Sequence, residues 1–267
     1  MQIIHDEKTT QPVIDRASEW DSVTYGECPK HGRFIDSITR YGYFRMLPCP
    51  KCVEETKKRK EQEEAARRIE KNLQRAAIPI RFKTKTIGGY EAAEKGQKEA
   101  KEVCARWLED IPGNIKNGVC IVFCGRPGTG KTHLACAVAN KVLESGFSAV
   151  FTSASDIVRS VRATWRGEGS EQSVIRDFSS VDLLIIDEVG AQQGTENENQ
   201  ILFSVLNSRY EAMKPTFVLS NLTPSGLKQF IGERSFDRLR EGGGHCLSFT
   251  WQSHRGAGSK RGDGEGK

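Results

Sequence analysis

The sequence predicts an α/β fold built on a central parallel sheet covered by helices on both faces, and three observations predict it. Five short apolar stretches, near residues 119–124, 147–152, 182–187, 215–220 and 245–250, alternate with segments of helical character. The first runs straight into the glycine-rich loop Gly125-Arg126-Pro127-Gly128-Thr129-Gly130-Lys131-Thr132. The third ends in two adjacent carboxylates, Asp187 and Glu188, at the carboxyl edge where parallel sheets gather their ligands.

The elements follow in chain order. Cys28 and His31, then Cys49 and Cys52, form two pairs with two residues between the members of each, the spacing by which paired turns close a tetrahedral zinc site. Four protein ligands leave no open position, so the site reads as structural. Phe34, Ile35, Ile38, Tyr41, Tyr43 and Phe44 between the pairs suit a short hairpin, too small to hold a core without a metal. This module is expected to occupy residues 1–52.

Residues 53–78 read as one long exposed helix, a charged linker or a partner-docking element. Glu54 and Lys58, Glu55 and Arg59, Glu63 and Arg67, and Glu64 and Arg68 are oriented to add roughly 0.3 kcal/mol per pair. Pro79 ends the helix and opens the main domain, expected over 79–255. A further helix over 91–111 carries Val103, Trp107 and Ile111 on one face, and Pro112-Gly113 is expected to stop it.

The strand–loop–helix unit around Gly125 to Thr132 is a phosphate-cradling loop. Its glycines allow backbone N–H groups to turn inward, and the helix from His133 to Glu144 adds the positive end of its dipole. Lys131 is placed for the β- and γ-phosphates and Thr132 for Mg²⁺. Asp187 is placed to hold water on the Mg²⁺, and Glu188 to orient or deprotonate the attacking water. The two motifs together predict binding and hydrolysis of ATP.

Ser155 to Arg166 reads as a capped helix with Arg159, Arg162 and Arg166 on one face and Trp165 at its end. Those residues suit a phosphate backbone tracked by arginines with one base stacked on the indole. A solvated basic face with Trp165 packed against the sheet is the other reading. A net charge of +5 is compatible with a nucleic-acid partner and does not require one.

Cys104, Cys120, Cys124, Cys136 and Cys246 fall on apolar faces and read as reduced core residues. No 18-residue apolar run and no signal-peptide pattern occurs, so a cytoplasmic protein without membrane association is expected. The glycine- and lysine-rich residues 256–267 are expected to be disordered.

Beyond these motifs, Thr216 to Asn221, Gly232-Glu233-Arg234-Ser235-Phe236-Asp237-Arg238-Leu239-Arg240 and Trp251-Gln252-Ser253-His254-Arg255 make the chain from about Ile78 to Arg255 closely similar to DnaC-type replicative helicase loaders of the AAA+ class. The cysteine-bearing amino terminus is not part of that type, although related DnaI-type loaders carry a zinc module with different ligand spacing. The resemblance implies an AAA+ ATPase without the carboxy-terminal helical lid, for which too few residues follow Asn221. It implies that Asn221 senses the γ-phosphate. Arg238, or its neighbour Arg234, becomes the arginine finger reaching the ATP of an adjacent subunit, and Arg255 the second nucleotide sensor. The implied partners are a hexameric replicative helicase, single-stranded DNA and further copies of the chain. IstB-type transposition helpers, which share the ATPase core, and a DNA- and protein-binding adaptor with little turnover are the alternatives.

Overall fold

The computed structural model describes residues 21–167, 169–191 and 195–253. Arg255 and the segment 256–267 lie outside the described residues. The chain divides into two compact units, one running up to Ala66 and the other starting at Arg67.

The first unit is a three-stranded antiparallel sheet followed by a helix. Strands β1 (Ser22–Cys28), β2 (Gly32–Arg40) and β3 (Tyr43–Met46) pair in the order β1-β2-β3, and α1 (Pro50–Arg75) follows. The hairpin expected between the cysteine pairs is β2 with β3, and β1 is a third strand that the sequence pattern did not reveal. Tyr41, Tyr43 and Phe44 are exposed on this sheet, while Ile38 is buried. Helix α1 starts at Pro50, where the fixed φ of proline suits a first helical turn. Cys52 is therefore on a helix.

In the second unit β4 (Ile121–Gly125), β5 (Ala149–Ser153), β6 (Leu183–Asp187), β7 (Thr216–Ser220) and β8 (His245–Phe249) form one parallel sheet in the order β5-β6-β7-β4-β8. Both faces are covered, and the period of two along each strand sorts the side chains. Ile121 and Phe123 of β4 face a core with Trp107, Leu134 and Phe217, whereas Val122 and Cys124 face another with Ile157, Leu202 and Val205. The first core is lined by α2 (Lys95–Glu109), α3 (Ile111–Lys116) and α4 (Lys131–Glu144). The second is lined by α5 (Ala154–Thr164), α6 (Glu171–Ser180), α7 (Glu196–Glu211), α8 (Pro224–Ile231) and α9 (Glu233–Arg240).

Local chemistry sets the helix ends. Ser153, Ser170, Thr195 and Thr223 accept backbone N–H groups as N-caps of α5, α6, α7 and α8. The cap of α5 is thus Ser153 rather than Ser155, and Trp165 and Arg166 lie past the end of that helix. Pro112-Gly113 does not stop helical structure either. Helix α2 ends at Glu109, and the Asp110 carboxylate accepts the Gly113 N–H and starts α3, with Pro112 tolerated in its first turn. The eight cysteines are free thiols; Cys104, Cys120, Cys124 and Cys136 are buried and Cys246 is half-buried.

Arg209 joins the layers at the amino-terminal edge of the sheet. It is fully buried and donates to the carbonyls of Phe178, Val181 and Pro215 at 2.6 to 2.9 Å and to Thr216 Oγ1 at 2.9 Å. Burial lowers its pKa to about 9, so it remains a cation at neutral pH. Among the described residues no helix is long and apolar enough to cross a membrane.

Candidate functional site

The glycine-rich loop leaves β4 at Gly125 and enters α4 at Lys131, beside the ends of β6 and β7. Two glycines are required by the geometry. Gly125 has φ +122°, and a Cβ there would stand 2.3 Å from the Phe249 carbonyl oxygen. Gly130 has φ +95°, and a Cβ would stand 2.5 Å from the Tyr90 ring. Between them Thr129 is buried; its hydroxyl donates to the Arg126 carbonyl at 2.7 Å. The Thr129 carbonyl accepts two buried donors, the Tyr90 hydroxyl at 3.1 Å and Trp251 Nε1 at 3.0 Å. This clasp fixes the peptide plane that aims the Gly130 N–H.

Lys131 is buried, and its ammonium donates to the carbonyls of Gly125 at 2.7 Å and Arg126 at 2.8 Å and to Asn221 Oδ1 at 2.9 Å. The Thr132 hydroxyl donates to Asp187 Oδ2 at 3.1 Å, and Asp187 Oδ1 accepts the Glu188 N–H at 2.7 Å. Glu188 has φ +59°, so its exposed carboxylate leaves the strand in a different direction from that of Asp187. Lys131, Thr132, Asp187, Glu188 and Asn221 line one cleft of about 410 Å³. The hard oxygen donors of Thr132 and Asp187 suit Mg²⁺.

Sequence reasoning missed other parts of the site. Arg81, Phe82, Lys85 and His133 also line the cleft, the first two in a single 3-10 turn, Ile80–Phe82, with the Arg81 guanidinium 4.8 Å from the Phe82 ring centre. Burial holds His133 below its ordinary pKa, and its Nε2 lies 3.1 Å from the Thr86 carbonyl. The local signals for this segment are Pro79, which opens the main domain, and the start of the family resemblance at about Ile78, and neither assigns these side chains to the cleft.

Arg238 lies elsewhere. A second cleft of about 410 Å³ opens at the opposite edge of the sheet, lined by Asn117, Tyr210, Met213 and Arg238 among others. The Arg238 guanidinium donates to Asn207 Oδ1 and stacks 4.7 Å from the Tyr210 ring centre, while Arg234, one turn earlier, is exposed. Neither arginine lines its own chain's nucleotide cleft.

On α5, Arg159 pairs with Asp156 at 2.9 Å and Arg162 with Glu198 at 3.2 Å. Together with Arg166 they line a cleft of about 320 Å³. Trp165 is 56% exposed rather than packed against the sheet, with Nε1 3.5 Å from Glu171 Oε2.

In the first unit the donor atoms of Cys28, His31, Cys49 and Cys52 all lie within 4.8 Å of one another. His31 Nδ1 is 3.6, 3.5 and 3.3 Å from the sulfurs of Cys28, Cys49 and Cys52. Zn–S bonds of about 2.3 Å in a tetrahedron place sulfurs about 3.7 Å apart. The Cys28 and Cys52 sulfurs are 3.6 Å apart, so this Cys₃His set fits zinc. The Lys30 N–H, with further donors, holds the Cys28 thiol down to about 6, and the shared proton pushes Cys52 up to about 11. Glu55, expected to pair with Arg59, instead accepts from His31 Nε2 at 2.9 Å and so orients the ring.

A phosphate loop joining β4 to α4, a carboxylate at the end of β6 and a polar residue just past β7, the strand between them, define a P-loop nucleotide-binding domain of the AAA+ class. The model of the IstB-like ATP binding protein family matches residues 47–238. The replicative helicase loader DnaC of Escherichia coli K12 is 33% identical over 196 residues, covering 73% of this chain and 79% of that one. A crystal structure of the DnaC helicase loader superposes with a TM-score of 0.58 at 20% identity, covering 64% of this chain and 99% of that one. AMPPCP-bound DnaA from Aquifex aeolicus superposes with a TM-score of 0.54 at 25% identity, covering 65% and 51%. The chain belongs to the family of DnaC-like and IstB-like ATP-binding proteins.

Proposed function

We propose that this protein is an ATP-dependent loader that places a hexameric replicative helicase on single-stranded DNA. The observation that carries this reading is the 33% identity to E. coli DnaC, described as a replicative helicase loader, over 79% of its length.

In this reading the N–H groups of Gly128 to Lys131 bind phosphate oxygens of ATP, and the Lys131 ammonium exchanges a loop carbonyl for the β- and γ-phosphates. Thr132 and Asp187 would hold Mg²⁺, which supplies charge neutralisation on those phosphates. Glu188 orients water for attack on the γ-phosphorus. Asn221, already bonded to Lys131, reports the presence of the γ-phosphate to β7. Arg255, outside the described residues, would serve as the second nucleotide sensor that the family resemblance implies. Arg238 or Arg234 reaches a neighbouring subunit's ATP, which requires self-association through the ATPase domain. Either the module expected over residues 1–52, which would hold one structural zinc, or the charged helix that follows it docks the helicase. Arg159, Arg162, Arg166 and Trp165 contact single-stranded DNA.

The test is co-purification with the cognate replicative helicase, followed by ATP-dependent transfer of that helicase onto circular single-stranded DNA. Transfer that is indifferent to ATP and to Lys131→Ala overturns the proposal. A second reading, an IstB-like transposition helper, is favoured by the family description and requires instead that a transposase be the partner whose activity responds to ATP.

A further inference from the structure

We propose that Glu198 is a positioning residue with two alternative partners, and that it carries the occupancy of the α5 arginine cleft to α7 and the ATPase core. In the structure its carboxylate holds Arg162. When a phosphate takes that arginine, the carboxylate turns back and caps its own helix. The inference rests on the reading of α5 as a surface for single-stranded DNA and adds to it the means by which DNA there is reported.

The second partner is written in the chain. Thr195-Glu196-Asn197-Glu198 has the order of a capping box, in which the threonine hydroxyl accepts the N–H three residues on and the glutamate reaches back to the threonine N–H. Only the first half of that box is closed. Thr195 Oγ1 accepts the Glu198 N–H at 3.4 Å, but the Glu198 carboxylate is turned to α5, where Oε1 accepts from Arg162 Nη2 at 3.2 Å. Helix α2 shows the completed form, with Glu94 accepting the Gln97 N–H and Gln97 Oε1 accepting the Glu94 N–H at 2.8 Å.

The observed pairing is a weak one for a buried acid. Glu198 is 9% exposed, and its Oε2 is buried with no hydrogen-bond partner. The contact to Arg162 is single and longer than the roughly 2.7 to 2.9 Å of a good charge-assisted bond. The Arg162 side chain is 43% exposed and lines the cleft with Arg159 and Arg166. A phosphate there offers the guanidinium two parallel bonds in place of one. The released carboxylate then has a backbone donor within its own first turn, at the positive end of the α7 dipole. Arg159 differs, because its partner Asp156 lies on the same helix and is half exposed, so its release strands no buried acid. Helix α7 is the one that follows Glu188 in the chain, and near its far end Asn207 and Tyr210 hold Arg238. A change at its first turn therefore reaches the element that carries both of these connections.

The experiment uses the full-length zinc-loaded protein. Exchange of the Thr195 amide hydrogen, followed by NMR, reads the cap, and anisotropy of a fluorescein-labelled oligothymidylate reads DNA binding. Without DNA, Arg162→Gln should slow exchange at Thr195 by about fivefold, the worth of one ordinary hydrogen bond, because the carboxylate has lost its first partner. Glu198→Gln, which can cap but cannot form the ion pair, should do the same, and Arg159→Gln should leave the amide unchanged. Oligothymidylate should slow this amide in the parent and not in Glu198→Ala. It should also alter ATP turnover by the parent, and Glu198→Ala should lose that response. A Thr195 amide unmoved by Arg162→Gln and Glu198→Gln overturns the proposal. So does an unfolding midpoint lowered in Arg162→Gln with that amide unchanged, the mark of a purely structural ion pair. A turnover that ignores DNA in the parent, or responds equally in Glu198→Ala, overturns the link to the ATPase. Oligothymidylate binding that is indifferent to joint replacement of Arg159, Arg162 and Arg166 by Gln removes the α5 reading and the DNA trigger with it. The measurements made without DNA test the two positions of Glu198 by themselves, so the two failures are told apart.

Discussion

The Lys131 ammonium donates to the Asn221 carboxamide oxygen across 2.9 Å, joining the first residue of α4 to the end of β7. Because β7 lies between β6 and β4 in the sheet, the Asn221 position is flanked by the phosphate loop on one side and Asp187 on the other. A buried ammonium needs compensating oxygens, and three surround Lys131. Phosphate entering the loop would compete for the same cation, which is the physical basis of the sensing role proposed for Asn221.

Lys131→Ala should therefore lose nucleotide affinity itself. Glu188→Gln should bind ATP within a few-fold of the parent and lose most hydrolysis, because its carboxylate acts on water rather than on nucleotide. Equilibrium binding of a fluorescent ATP analogue, alongside phosphate release, separates the two. Equal loss of affinity in both variants argues against these roles.

The Thr129 clasp gives a second expectation. Tyr90→Phe removes one hydrogen bond to the loop carbonyl and Trp251→Phe the other, each worth about 1 kcal/mol. Each should raise the dissociation constant for ATP severalfold, with a smaller change in turnover at saturation. Burial pushes the Tyr90 phenol up to about 12, so it stays a protonated donor and its effect should be flat between pH 6 and about pH 9. A steep pH dependence in that range that vanishes in Tyr90→Phe would count against the assignment.

How much of this was legible beforehand depends on the range of the interactions. The five parallel strands were readable because each is a short β-branched or apolar run, and Gly125 to Thr132 because its conformation is set within eight residues. Asp187 and Glu188 were readable from position on their strand. The Thr129 clasp was not, since Tyr90 and Trp251 reach it from 39 and 122 residues away. Neither was the role of Glu55, whose helical spacing to Arg59 is as good as its approach to His31 is close. Strand β1 was hidden because its alternation, Val23-Thr24-Tyr25, is short, ends at Gly26 and is interrupted by an irregularity between Thr24 and Tyr25.

Arg209 offers a test of stability without any role in chemistry. Arg209→Ala leaves the carbonyls of Phe178, Val181 and Pro215 buried without that donor and should destabilise the ATPase unit by about 3 kcal/mol or more. Arg209→Lys should recover little, because one ammonium cannot span acceptors on α6, on two connecting segments and on β7. Urea unfolding of both variants, followed by far-UV circular dichroism, checks this. A loss under about 1 kcal/mol, the worth of a single ordinary hydrogen bond, would show the carbonyls to be satisfied by other donors.

For the amino-terminal unit, one tightly bound zinc per chain is expected, held by Cys28, His31, Cys49 and Cys52. Glu55→Ala should lower zinc affinity by about tenfold or more through the loss of the carboxylate that orients His31. Elemental analysis and competition with a chromogenic chelator measure both quantities. Zinc near zero in protein from metal-replete cells would sink the assignment, and an unchanged affinity in Glu55→Ala would remove the orienting role alone.

The last expectation concerns Arg238. Its guanidinium is held by Asn207 and Tyr210 on α7, away from the cleft that contains Lys131, so any contribution it makes to hydrolysis has to be made to the ATP of a neighbouring subunit. If the arginine acts in trans, Arg238→Ala should bind ATP nearly normally and lose hydrolysis by about 10³-fold or more in the assembled state. Mixing it with Lys131→Ala should restore some activity, because an intact phosphate loop can then face an intact arginine. Arg234, exposed one turn earlier on α9, is the control, and restoration by Arg234→Ala mixtures but not by Arg238→Ala would move the role to that residue. If Arg238 serves only to tie α9 to α7, its loss should lower the unfolding midpoint, and no mixing ratio of correctly assembled variants should recover turnover. Measuring stability and complementation on the same preparations therefore decides between an arginine that crosses a subunit boundary and one that packs two helices together.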